Sequence, residues 1–399
     1  MMRALVMTVL VATVAQVHAE DLTLETVIAA TDQAPATRTT AAELAGAEAR
    51  VDAAGAWNPT TLHVGTNRLT ARVVAGIVVP LPILGTLGAS RDEADAHAST
   101  VRAEGTVARR ELRHRAVVAW LELARGDATV ATLVTAADQA AALEKIAQGR
   151  LEIGVGGQVD VTSAHAAKAR ADVAVAAARR ETDARAAELA GILGWDPLRE
   201  LHAAGGLPGG TADLEALRQR LAGHPERAAM LDRVAEFEAS ARRVNVARRP
   251  GLAVEVTASY RDPTNDNKTD LFAGLSLELP LFAHLGAQLR AANHDTAAER
   301  ARLAALDTEL AGGLVAAYRR WEAATDRLTG LERDVMPAQE QATKLTEQAY
   351  REGARDLATA LLAARDLAAV RAETANARID AATAWIELEL ATGKDAGAR

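Results

Sequence analysis

Two stretches of the chain alternate apolar and polar positions with the period of two that a β-strand requires. In Gly251 to Tyr260, residues Leu252, Val254, Val256, Ala258 and Tyr260 alternate with Ala253, Glu255, Thr257 and Ser259. In Leu271 to Pro280, residues Leu271, Ala273, Leu275, Leu277 and Leu279 alternate with Phe272, Gly274, Ser276 and Glu278. The polar run Arg261 to Thr269, rich in turn formers, joins the two. A fainter pair lies earlier, with Leu62 and Val64 against His63 and Gly65, then Val73, Ala75, Ile77 and Val79. Strands of about ten residues, apolar on one face and small or polar on the other, suit a membrane barrel with a wet interior. A hairpin lying on a soluble core has the same pattern. Aromatic residues for the two membrane interfaces are few: Tyr260, Phe272, Trp57 and Phe282. Four strands cannot close a barrel, and lipid does not tolerate open edges. The chain must therefore oligomerise or keep its hairpins in water.

Helical segments flank each hairpin. A helix of about 30 residues is expected first, over Leu24 to Ala54 and again over Asp213 to Ala247. After the strands come Gly88 to Glu152 and Gly286 to Glu352, which hold no proline except Pro337. Helices of 65 to 70 residues reach about 100 Å and survive only by packing lengthwise on others. A glycine-containing break and a further helix of about 40 residues close each copy.

The parallel plan is an internal duplication. Leu24-Glu25 recurs as Leu214-Glu215, Gln33-Ala34-Pro35 as Gly223-His224-Pro225, and Asn58-Pro59 as Arg249-Pro250. Val79-Pro80-Leu81 recurs as Leu279-Pro280-Leu281. Arg150 to Gly154 finds its counterpart in Tyr350 to Gly353, and Gly194-Trp195-Asp196 in Gly393-Lys394-Asp395. The expected division is a leader over 1–19, a first repeat over 20–204, a linker over 205–212, a second repeat over 213–395 and a tail over 396–399. In the leader, Arg3 is the positive end, Ala4 to Val14 the apolar run and Val17-His18-Ala19 the small-residue cleavage site. Cleavage there starts the mature chain at Glu20.

Composition narrows the chemistry. There is no cysteine, which excludes disulfides, thiolate metal sites, cysteine nucleophiles and a lipidated N-terminal cysteine. Hydrophobic residues make up 49% and aromatics only 3%, and this alanine-rich balance suits long, closely packed helices. The net charge of -8 argues against a nucleic-acid partner. No uninterrupted apolar stretch reaches the roughly 18 residues of a membrane helix.

Four segments then carry a resemblance: Leu22-Thr-Leu-Glu25, Ala56-Trp-Asn-Pro59, Leu275-Ser-Leu-Glu-Leu-Pro-Leu-Phe282 and Ala349-Tyr-Arg-Glu-Gly-Ala-Arg-Asp-Leu357. With the duplicated plan, the mature chain resembles the TolC-like outer-membrane efflux protein family over essentially its whole length. The resemblance implies a mainly α fold with a small transmembrane β part. Three protomers would each give four strands to one 12-stranded barrel, above a periplasmic tunnel of antiparallel helices. It implies passive conduction, docking to a periplasmic adaptor protein, and an inner-membrane transporter as the indirect source of energy. No cofactor is implied.

The resemblance places the entrance and the adaptor-docking tips at Gly154, Val155 and Asp160 in the first copy. In the second copy they fall at Gly353, Ala354, Arg355, Asp356 and Leu357. Glycine suits both reversals, and Asp160 and Asp356 are expected to cap the returning helices. Some family members carry acidic residues about two turns past the second tip glycine; here those positions are Thr359 and Leu362. The rival readings are the outer duct of a type I protein-secretion system and a soluble periplasmic coiled-coil scaffold.

Nothing in the sequence spells an enzyme. The nine histidines are dispersed without zinc-like spacing. Carboxylates such as Glu299 and Glu332 alternate with arginines and suggest solvated ion pairs. Gly205 to Gly210 lacks the Lys-Ser/Thr of a phosphate loop and is expected to be a linker. Arg242-Arg243 and Arg248-Arg249 suit a helix C-terminal dipole or lipid headgroups.

Overall fold

The computed structural model describes residues 20–57, 60–67, 72–82, 84–260, 269–279 and 284–395. The expected leader, the landmarks Asn58-Pro59 and Pro280 to Phe282, most of the loop after Tyr260 and the tail lie outside them. In chain order the first half holds β1 (Glu20–Leu22), α1 (Leu24–Thr31), α2 (Pro35–Gly55), β2 (Thr61–Asn67), β3 (Arg72–Leu81), α3 (Thr86–Glu152), α4 (Gln158–Leu193) and β4 (Leu201–Ala203). The second holds α5 (Leu214–Arg220), α6 (Pro225–Val246), β5 (Gly251–Tyr260), β6 (Thr269–Glu278), α7 (Leu285–Gly330), α8 (Met336–Arg351) and α9 (Leu357–Ala391).

The molecule is mainly helical, and its 67-residue α3 is the spine. It packs along α2, α4, α6 and α9. The expected first helices are each broken in two. Pro35 and Pro225 have no N–H to donate, so each opens a new helix at its first position. Gly194 and Gly393, both at positive φ, let the end of α4 and of α9 close on these prolines. A side chain at Gly194 would stand 2.5 Å from Pro35 Cδ, and one at Gly393 3.0 Å from Pro225 Cδ. Pro337 does not end the second long helix. A π-helical turn, Leu331–Val335, precedes it, so the proline falls in the first turn of α8, where its missing N–H costs least.

Sequence reasoning missed β1 and β4, a three-residue parallel pair. Asp127 on α3 accepts from the Ala203 N–H at 2.9 Å, and Trp120 Nε1 donates to the Leu22 carbonyl at 2.8 Å. These bonds seat the pair on the main core, where Val27, Trp120, Leu121, Leu189, Leu193 and Ile386 are buried. Each such side chain contributes about 1.5–3 kcal/mol, so this waist fixes the helices that run away from it. A second cluster joins Leu314, Ala317 and Leu388 to Tyr318, Trp321 and Trp385. Gly210 in the linker is there for packing, since a Cβ would stand 2.7 Å from the Trp385 ring.

The four longer strands form one antiparallel sheet in the order β2-β3-β5-β6. Its register puts Leu62, Ile77, Val256 and Ala273 in one row, and Val64, Ala75, Ala258 and Leu271 in the next, all on one face. That face is exposed, with Leu271 76% accessible. The opposite face carries His63, Glu255, Thr257, Ser259 and Ser276. Phe272 pairs with Thr257 and so lies on this polar face, not among the apolar rows where an interfacial aromatic belongs. The strand expected from Leu271 to Pro280 is shifted to Thr269–Glu278.

One electrostatic expectation needs correction. Glu299 is only 2% exposed and pairs with Arg302 and, at 3.5 Å, with Arg233. It is a buried carboxylate between helices, not a solvated one. Arg242 pairs with Glu238 and Arg243 with Glu93, while Arg249 donates to the Leu84 carbonyl at 2.9 Å. Arg243, in the last turn of α6, thereby also ties that helix to α3, and Arg249 ties the chain beyond it to the residues before α3, while Arg242 pairs within its own helix.

Candidate functional site

The two helix reversals far along the spine, α3 to α4 and α8 to α9, are built alike. At the first, Gly154 has φ 75°; its N–H donates to Leu151 and the Val155 N–H to Arg150. At the second, Gly353 has φ 80°; its N–H donates to Tyr350 and the Ala354 N–H to Ala349. Both are glycine C-caps of the Schellman kind, which satisfy the last carbonyls of a helix while turning the chain. A side chain other than glycine's meets its own carbonyl in the left-handed region.

The returning helices start differently. Asp356 caps α9, its carboxylate accepting from the Thr359 N–H at 2.9 Å and from the Thr359 hydroxyl. Those two bonds hold Asp356 below the usual carboxylate range. Asp160 does not cap α4. Gly157 occupies the capping position and Asp160 sits in the first turn, because the longer glycine-rich reversal delays the aspartate. There its charge still favours the helix N-terminus.

The structure brings the two tips together through residues that spacing did not single out. Arg150 Nη1 donates to the Tyr350 carbonyl at 2.8 Å, and Nη2 reaches the Val155 carbonyl at 3.4 Å. The same guanidinium lies 5.1 Å from the Tyr350 ring centre. One arginine thus caps the end of α8 and braces the neighbouring reversal. Tyr350 is buried with Leu143, Ala147, Ala164, Leu357 and Ala360. Burial first, and the Asp160 charge second, push its phenol above the usual tyrosine range, against the pull of Arg150. The only sequence sign was that Arg150 and Tyr350 precede the two tip glycines.

Of the expected tip residues, Gly154, Val155, Gly353, Ala354, Arg355 and Asp356 are exposed, and Asp160 is half-buried. Leu357 is buried in the tip core, so in this chain it supports the surface and does not form it. Ile153 and Val159, which the sequence reading passed over, are 73% and 76% exposed beside Val155. Behind the tips, Ala136, Ala140, Ala167, Ala171, Leu361 and Leu362 line a groove of about 740 Å3 between α3, α4 and α9. Thr359 and Leu362 bring no charge to this end of the molecule. Among the described residues, no three His, Asp or Glu side chains converge to hold a metal ion. Nor is any described helix long and apolar enough to cross a membrane.

Comparison with known proteins follows the same lines. The sequence pattern of the outer membrane efflux protein family matches residues 216–394. No curated protein matches the chain in sequence. The outer-membrane channel OprN shares its fold with a TM-score of 0.76 at 19% identity, covering 93% of this chain and 89% of that one. The outer membrane protein VceC of Vibrio cholerae gives 0.75 at 18% identity, covering 93% and 96%. The CmeC outer membrane channel of Campylobacter jejuni gives 0.76 at 11%, covering 94% and 87%. The pattern of the outer membrane efflux protein family thus covers the second half of the chain, and nearly its whole length has the fold of outer-membrane channels of this kind.

Proposed function

We propose that this protein is the outer-membrane channel of a tripartite efflux pump and conducts its cargo passively out of the periplasm. Three copies close their sheets into one 12-stranded barrel, and their long helices form the tunnel below it. The observation that carries this reading is the four-stranded sheet, with one exposed apolar face, one polar face and open edges at β2 and β6. Such a sheet is an aggregation hazard in water and is forbidden singly in lipid. Closure with two further copies removes both problems at once, putting the apolar rows against lipid and His63, Glu255 and Ser259 around the lumen.

The tips are then the tunnel entrance and the docking surface for a periplasmic adaptor. Val155, Ile153 and Val159 offer apolar contacts there, and the alanine-lined groove admits a helix at close range. Energy comes from an inner-membrane transporter that the adaptor links to this channel. No residue performs covalent chemistry. The processing of residues 1–19 as a leader and the two-repeat division of the mature chain belong to the same proposal.

The test is expression of the full chain followed by fractionation and planar-bilayer recording. A trimer in the outer-membrane fraction that forms pores is expected. A monomer in the soluble periplasm would overturn the reading in favour of a coiled-coil scaffold.

A further inference from the structure

The two halves of the molecule make the same junction with different chemistry. In the first half, Ala34 precedes Pro35 at the start of α2, fully buried and with no side-chain cap, against Gly194 at the end of α4. In the second half, His224 precedes Pro225 at the start of α6, against Gly393 at the end of α9. His224 is 1% exposed. A Cβ on Gly393 would stand 3.2 Å from its Cα and its Cδ2, so the glycine makes room for the imidazole.

Both ring nitrogens of His224 are used. Nδ1 accepts from the Glu226 N–H at 3.3 Å, which caps α6. That bond requires an unprotonated Nδ1, so the proton sits on Nε2, and the ring bonds to the Leu390 carbonyl in the last turn of α9. Arg110, itself buried, donates to the same Leu390 carbonyl and to the Lys394 carbonyl at 3.0 Å. The start of α6, the end of α9 and the spine α3 thus meet at one neutral imidazole and one buried guanidinium.

We propose that the His224 junction is an acid-released latch between α6 and α9, and that the Ala34 junction is its pH-insensitive counterpart. Protonation at Nδ1 removes the acceptor and turns a hydrogen bond into two opposed N–H groups. It also places a second positive charge beside Arg110. The charged groups that act on the imidazole are Arg110 on α3 and Glu226 on α6; Arg110 in turn faces Asp395 beyond α9, which pairs with Arg113 on α3. Arg113 is engaged by Asp32 and Asp395, each at 2.8 Å. Glu226 acts on His224 through space, while its backbone N–H uses the neutral ring. Burial above all, and Arg110 next, lower His224 below the ordinary histidine range, against Glu226 and the Leu390 bond. The latch is therefore closed above about pH 6.5, the ordinary histidine value, and opens as the pH falls through the lower folded value.

Hydrogen exchange of the full-length purified protein, corrected for intrinsic rates, tests this at about pH 7.5 and about pH 5. The amides of 226–228 and 388–395 should lose about five- to tenfold protection in acid, the size of a lost helix cap. The amides of 36–38 and 190–196 should not. His224→Asn keeps a side-chain acceptor at a position where Asn caps well and removes the titration. It should stay protected at both pH values. His224→Ala should be poorly protected at both. Acid-dependent loss that persists in His224→Asn, or that is equal at the two junctions, overturns the latch. Because His224→Asn retains the cap, the test stands even if His224→Ala fails to fold.

Discussion

At the scale of single residues, the glycines divide into those that turn the chain and those that let helices meet. Gly154 and Gly353 belong to the first kind and are recognisable in sequence, because a glycine between two long helical patterns signals a reversal. Gly126 belongs to the second kind. It lies inside α3, where a Cβ would stand 2.7 Å from Thr182 Oγ1 and 3.2 Å from Thr182 Cβ on α4. The Thr182 hydroxyl is already committed to the Ala178 carbonyl at 3.0 Å, and the β-branched side chain cannot swing freely. Gly126→Ala gains up to about 1 kcal/mol of helix propensity but overpacks the contact by about 1–3 kcal/mol. A net loss of stability is expected, largely restored by adding Thr182→Ala. Denaturant melts check this, and a Gly126→Ala protein as stable as the parent would show that α4 yields. The sequence gives no sign of such a site, since the crowding atom belongs to a helix that only folding brings near. Arg150 is little more legible, since its partner carbonyl lies at Tyr350 and the sequence shows only that both precede a tip glycine.

At the scale of elements, period and turn chemistry revealed the strands and the long helices, because both follow from local backbone preference. β5 matched its expected span, and α3 needed only two residues more than the Gly88 start. Prolines were harder to interpret. Pro35 and Pro225 start helices packed against Gly194 and Gly393, while Pro337 is absorbed behind a π-turn. Side-chain ionisation on α3 was equally hidden. His114 lies half-buried there, with its Nε2 unpartnered among the described residues. Burial foremost, and the Arg110 charge, hold it below the ordinary histidine range, while Glu387 and Glu111 oppose them. Folding therefore favours neutral His114. Its contribution to stability is whole above about pH 6.5 and fades as pH falls through the lower folded value. His114→Gln should lose less melting temperature than the parent between about pH 8 and about pH 5. An identical acid limb in the two proteins would remove His114 from the account, leaving His224 as the buried imidazole at this waist.

At the scale of the whole molecule, the waist and the sheet have opposite physical characters. The waist buries Trp120, Leu121, Leu189 and Ile386 within one chain, whereas the sheet exposes its largest apolar side chains. A soluble scaffold has no use for an exposed face of that kind, since exposed apolar strands recruit other chains. A membrane channel requires it. The two faces of β5 therefore predict different tolerances. Val256 lies in the middle row of the apolar face, paired with Ile77 and Ala273. Ser259 lies on the polar face, paired with Val74. In the proposed trimeric barrel, Val256→Lys costs about 2–4 kcal/mol per strand near the lipid midplane, repeated three times by the symmetry. Ser259→Lys adds a charge to a wet lumen, where hydration leaves it nearly free. Heat-sensitive trimer in outer-membrane extracts should disappear for Val256→Lys and persist for Ser259→Lys. Were the sheet to stay in water, both lysines would be solvated, and Val256→Lys would improve solubility. Equal trimer yields from the two variants would therefore take the sheet out of the membrane.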